Sequence, residues 1–290
     1  MKALFSQKKS KLEEAIDVLL MICFAILLIM PQFIYISSAG GYDDSDLKEV
    51  GVECMQDYPS DDLSWSYTNA YGFYQRLGEK GWTKRYMYVN NPAAQENHFE
   101  HPWYGGNYYI YTGYNDFAFF AGHGAPENFN FGYNWDGDGS YTTYVHYTEA
   151  RNWGLGDLEW ITLCACSVLK NDWDPNVFNR WGWPTFCHLH AITGFATNAQ
   201  DKPYWILWPF LYTSAGTVYV DWMTTSGYTV GGAWKRTTID WQDSMVYGAY
   251  LCVYNPSTGY YGSNDYLPGY GTVGPDLNPP PALYWSHWQC

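Results

Sequence analysis

Asp116-Phe117-Ala118-Phe119-Phe120-Ala121-Gly122-His123-Gly124 is the stretch that decides how this chain folds. A short continuous apolar run bounded by turn residues is a strand buried on both faces, as strands of parallel sheets are. A second such run, Leu158-Glu159-Trp160-Ile161-Thr162-Leu163-Cys164-Ala165, ends at Cys166-Ser167, and a third is His188-Leu189-His190-Ala191-Ile192-Thr193-Gly194-Phe195. Between and around them lie segments with helical periodicity. Residues 63–80 place apolar groups at helical spacing, with Gly81 to stop the helix. Residues 203–222 predict a helix covering the sheet, and residues 233–252 a further helix and a strand. Buried strands alternating with helices define an α/β protein with a mostly parallel central sheet, carrying aromatic-rich insertions and a tail.

The flanks are of different composition. Residues 40–62 are polar and acidic and read as a lead-in, residues 84–115 as loops with short strands, and residues 126–152 as an insertion with few apolar runs. The last 37 residues are rich in Gly, Tyr and Pro, including Pro279-Pro280-Pro281, and read as an ordered aromatic tail or a linker to a partner. At the other end, Lys8, Lys9 and Lys11 precede an apolar run over residues 18–36, and the small residues Ser37-Ser38-Ala39 follow it. That order fits either a cleaved signal peptide ending near Ala39 or an uncleaved anchor that meets the membrane through residues 15–36. Basic residues before the run place the body outside the cytoplasm in both cases, so the expected location is secreted or membrane-anchored. The expected division is residues 1–39 as signal or anchor, 40–252 as the α/β domain and 253–290 as the tail.

Aromatic residues make up 20% of the 290 and charged residues only 15%, against about 25% in ordinary soluble domains. The formal net charge of −14 excludes a nucleic-acid partner, since phosphate binding needs clustered Lys and Arg. Of seven cysteines, Cys23 lies in the export segment. One or two disulfides are expected among the others, with Cys54, Cys252 and Cys290 as their members.

His123 and Cys166 both fall just past the carboxyl ends of buried strands, where functional groups of α/β sheets gather. A cysteine peptidase needs a thiol, an imidazole to take and return its proton, and amide donors for the oxyanion. Glycines on both sides of His123 let a substrate backbone approach, and the Gly124 and Cys166 amides are the candidate oxyanion donors. Cys164 is the competing nucleophile, on the same face of the strand but deeper.

An apolar strand ending in His-Gly, followed by one ending in Ala-Cys, resembles the caspase-like clan of cysteine peptidases (caspases, legumains, gingipains, separases). The residues that carry the resemblance are Phe117 to Gly124 and Ile161 to Cys166. The segments Trp153-Gly154-Leu155-Gly156-Asp157-Leu158-Glu159-Trp160 and His190 to Phe195 further resemble an uncharacterised prokaryotic and archaeal branch, a domain of unknown function. The resemblance implies a caspase-like sandwich, peptide or protein substrates, His123 and Cys166 as catalytic dyad, and no required cofactor. Many members follow the cysteine with Ser-Gly or Arg-Gly, whereas this chain has Ser167-Val168-Leu169.

Other candidates remain. Asn134, Asp136, Asp138 and Ser140 resemble the front half of a Ca²⁺ loop, with Gly139 at its sixth position, but Val145 stands where the bidentate glutamate belongs and Glu149 would have to replace it. Cys164, Cys166, Cys187, His188 and His190 make a possible zinc set of unusual spacing, whose alternative is a pair of hydrogen-bonded core histidines. Trp173, Trp181 and Trp183 suggest carbohydrate binding, with core packing as the alternative. A non-catalytic surface or filament protein, self-assembling through its tail, is the competing function.

Overall fold

The computed structural model describes residues 46–58, 61–132, 144–207 and 210–290. The export segment and the four residues of the calcium-loop candidate lie outside the described residues. No described helix is long and apolar enough to cross a membrane.

The α/β reading holds. The strands of the main sheet are β1 (Glu49–Cys54), β2 (Thr83–Val89), β3 (Phe117–Ala121), β7 (Trp160–Cys164), β8 (Ala191–Phe195), β11 (Tyr247–Asn255), β12 (Tyr260–Tyr261) and β13 (Ala282–Gln289). Between β3 and β7, the short strands β4 (Gly124–Ala125), β5 (Asn128–Asn130) and β6 (Tyr144–His146) form a separate antiparallel sheet. The main sheet runs β12-β11-β8-β7-β3-β1-β2, and β13 pairs with β11. Strands β2, β1, β3, β7 and β8 are mutually parallel, while β11 is antiparallel to β8 and to β13. The three runs read as buried strands are thus β3, β7 and β8, side by side.

Period-two alternation divides β3 between two cores. Phe117, Phe119 and Ala121 face the helices α1 (Ser66–Glu79), α2 (Ala215–Thr224) and α3 (Val230–Trp241), meeting Phe73, Tyr219 and Trp234. Ala118 and Phe120 face the opposite side, where an aromatic layer of loops and turns supplies Phe99, Phe129, Trp153 and Trp181. Arg180, fully buried in that layer, donates to the carbonyls of Pro126, Lys170 and Pro175 and so ties the insertion to the loop after β7. Helix α1 ends where expected, at Gly81 with φ +87°.

Four expectations need correction. Residues 40–62 are not merely a lead-in, because β1 runs through them between β2 and β3 with every residue buried. Its glutamates hid it: Glu49 pairs with Arg85, and Glu53 with His98 Nδ1 at 2.7 Å. Residues 203–222 are not one helix. A hairpin of β9 (Tyr204–Leu207) and β10 (Leu211–Thr213) comes first, and α2 starts only after Ser214, whose hydroxyl caps the Thr217 amide. Cys54, Cys252 and Cys290 form no disulfide; all six described cysteines are free. The boundary at 252/253 cuts one structural unit, since β13 pairs along β11 and buries Trp288 in the core under α3.

Candidate active site

Strands β3 and β7 lie in register, with Ala121 opposite Cys164, so the two loops that follow emerge together. Gly122 crosses first, its amide donating to Cys164 O at 3.3 Å. A side chain there would put Cβ 2.5 Å from the Tyr58 hydroxyl. That hydroxyl accepts from the His123 amide at 2.9 Å and donates to Asn130 O at 2.9 Å, and the Tyr58 ring lies against the imidazole with centroids 4.4 Å apart. The imidazole Nε2 is 2.7 Å from Asp61 O. A carbonyl only accepts, so Nε2 carries the proton and Nδ1 is the basic nitrogen.

Gly124 packs directly on the cysteine loop: a Cβ there would fall 2.8 Å from Ala165 Cβ and 3.0 Å from Cys166 O. Asn130 donates to His123 O at 2.9 Å, which makes residues 123 and 130 the hydrogen-bonded pair of the small sheet. Gly124, opposite Phe129, therefore sits at a non-hydrogen-bonded position with its amide turned away from β5. Among the described residues the Cys166 amide donates no backbone hydrogen bond.

Cys166 sits at a sharp exit from β7. Ser167 takes a left-handed φ of +58°, its amide donates to Thr197 O at 2.9 Å, and its hydroxyl bonds Asn198 Oδ1 at 2.9 Å. The thiol sulfur accepts from the Ala199 amide at 3.3 Å. Burial pushes the Cys166 thiol above its ordinary range; the Ala199 amide opposes that and the Asp201 carboxylate adds to it. Cys164 lies deeper, and burial drives its thiol far higher. At Cys166 that direction favours the protonated thiol over the thiolate. Among the described residues no hydrogen bond joins Cys166 to His123.

His123, Cys166 and Gly124 line one cleft of about 440 Å³, together with Asp61, Asp62 and Asp201. Asp201 accepts from the Ser64 and Trp65 amides just ahead of α1 and is exposed at the mouth of the cleft. Sequence reasoning missed Tyr58, Ala199 and Asp201. The last two follow β8, so the strand-end rule that found His123 and Cys166 would have reached them. Tyr58 had no such signal, lying after a strand that was itself unrecognised.

The zinc set does not assemble. Cys164 and Cys166 are at the carboxyl end of β7, whereas His188 and His190 precede the amino end of the parallel neighbour β8, across the sheet. Of the three tryptophans, Trp181 is core, while Trp173 and Trp183 are exposed.

Fold and cleft together define an α/β protein whose mostly parallel sheet carries a histidine and a cysteine at adjacent strand ends. The chain belongs to the DUF6345 family, a domain of unknown function, whose family model matches residues 52–289. No curated protein matches the chain.

Proposed function

We propose that this is an extracytoplasmic cysteine peptidase of caspase-like type, acting on peptide or protein substrates. The observation that carries the reading is the convergence of His123, Gly124 and Cys166 on one cleft at the carboxyl ends of adjacent parallel strands. Cys166 Sγ attacks the scissile carbonyl as its proton passes to His123 Nδ1, and the carbonyl oxygen becomes an oxyanion held by the Gly124 and Cys166 amides. The C–N bond then breaks and His123 returns the proton to the leaving amine. Water, deprotonated by His123, hydrolyses the thioester and frees Cys166. A thiol pushed above its ordinary range by burial suits this order, in which the imidazole acts as general base instead of pairing with a standing thiolate.

The full-length protein, in mild detergent, should hydrolyse members of a fluorogenic peptide library. Cys166→Ala and His123→Ala should each abolish that hydrolysis with circular dichroism and melting temperature unchanged. Hydrolysis that survives Cys166→Ala would sink the reading. So would a silent wild type whose Cys166 is alkylated no faster than Cys164.

A further inference from the structure

The opposite end of the sheet gathers a second cluster. Glu159 immediately precedes β7 and His190 immediately precedes β8, and parallel pairing sets them side by side, with the His190 amide donating to Glu159 O at 2.8 Å. Asp276 reaches the same point from the segment before β13. One donor atom from each of Glu159, His190 and Asp276 lies within 4.8 Å of the others. The His190 ring is fully buried between two carboxylates, with Nδ1 2.6 Å from Asp265 Oδ2 and Nε2 3.0 Å from Asp276 Oδ1. Asp265 is itself fixed by the Tyr260 hydroxyl and the Gly274 amide, each at 2.9 Å.

We propose that Glu159, His190 and Asp276 bind a divalent metal ion of the zinc type, with His188 as a further donor at its edge. Four observations converge. Imidazole and carboxylate donors together suit Zn²⁺ and its neighbours. The carboxylate on the far ring nitrogen, Asp265 on Nδ1, is the arrangement that orients metal-binding histidines and leaves Nε2 for the ion. A partly open recess of about 10 Å³ adjoins the cluster on the side away from the His190 ring and is lined by Glu159, His188 and Asp276. Asp157 lines it as well, so four carboxylates (Asp157, Glu159, Asp265 and Asp276) surround two imidazoles, and a dication offsets the excess charge. His188, held at φ +74°, presents Nδ1 3.9 Å from Asp276 Oδ2. On binding, the Nε2 proton of His190 leaves to solvent and an Nε2–metal bond takes its place. The ion would clasp the segment that leads into β13 to the amino ends of β7 and β8. The alternative is a hydrogen-bonded Asp265–His190–Asp276 triad complete without metal.

Full-length protein in mild detergent, stripped with chelator, is titrated with Zn²⁺ by calorimetry in two buffers of different ionisation enthalpy. The site predicts one equivalent bound, about one proton released per ion, and a melting temperature that rises with Zn²⁺ and falls back with chelator. His190→Gln and Asp276→Asn should weaken binding about 100-fold or more, while Cys166→Ser should not. Asp276 is partly exposed, so its variant decides the matter if His190→Gln fails to fold. No stoichiometric uptake overturns the proposal, as does uptake that persists in Asp276→Asn or disappears in Cys166→Ser. None of these outcomes depends on peptidase activity.

Discussion

Asp201 shows how one carboxylate serves two masters in the cleft. It ties the residues before α1 by accepting from the Ser64 and Trp65 amides, and its charge disfavours the Cys166 thiolate. The sign is fixed: a raised thiol pKa means less thiolate at any given pH, so alkylation of Cys166 should climb only above the pH at which a free thiol (about 8.5) responds. This differs from the expectation of a dyad with a standing thiolate. Asp201→Asn keeps an acceptor for the amides but removes the charge. Iodoacetamide labelling at Cys166, followed by mass spectrometry between pH 6 and 9, should become several-fold faster at fixed pH; an unchanged profile would mean that burial alone sets the thiol. His123, Gly124 and Cys166 were legible in the sequence because glycine punctuation and strand ends are local signals. Tyr58 was not, because its role depends on Asn130 and His123, both far along the chain.

At the scale of single elements, β3, β7 and β8 are readable as strands because each is apolar enough to be buried on both faces. Strand β1 is just as buried yet carries Glu49 and Glu53, and a charge within a short run defeats hydropathy. Only the fold supplies the partners, His98 and the Gln95 amide for Glu53. Burial pushes the Glu53 carboxyl up, and the His98 contact pulls it back. Removing His98 would leave that acid without its buried counterpart, so His98→Ala should cost about 3–5 kcal/mol in urea unfolding. Adding Glu53→Gln should recover part of the loss. Full recovery is not expected, because the His98 ring also stacks on Tyr111 with centroids 3.7 Å apart. If the double variant is no more stable than His98→Ala, the charge is not what matters.

For the whole molecule, the C-terminal segment is the main revision. Composition made it a tail, but β13 extends the sheet beside β11, and the Trp288 indole donates to Thr238 of α3 at 2.8 Å. Deleting residues 282–290 should abolish the cooperative thermal transition, because it uncovers the edge of β11 and removes part of the core under α3. A self-assembling appendage would instead detach with the melting temperature unchanged. The free cysteines follow from the same integration: Cys54 and Cys252 are enclosed in separate strands of one sheet and need no crosslink to hold the chain together.

The sequence by itself determined the α/β class, the three central strands, the end of α1 and the two residues that head the cleft. All of these rest on short-range signals: runs of apolar residues, alternation along a strand, and glycines at turns. Tertiary structure alone decided that an acidic stretch is a central strand, that a hairpin precedes α2, and that the tail is part of the sheet. It alone also sent the histidines of the supposed zinc set to the end of the sheet opposite Cys164 and Cys166. Each of these depends on partners distant in the chain, such as Arg85 for Glu49, β11 for β13, and Asp265 and Asp276 for His190. A buried charge or a glycine-rich segment is polar in the sequence and becomes core only when the fold satisfies it.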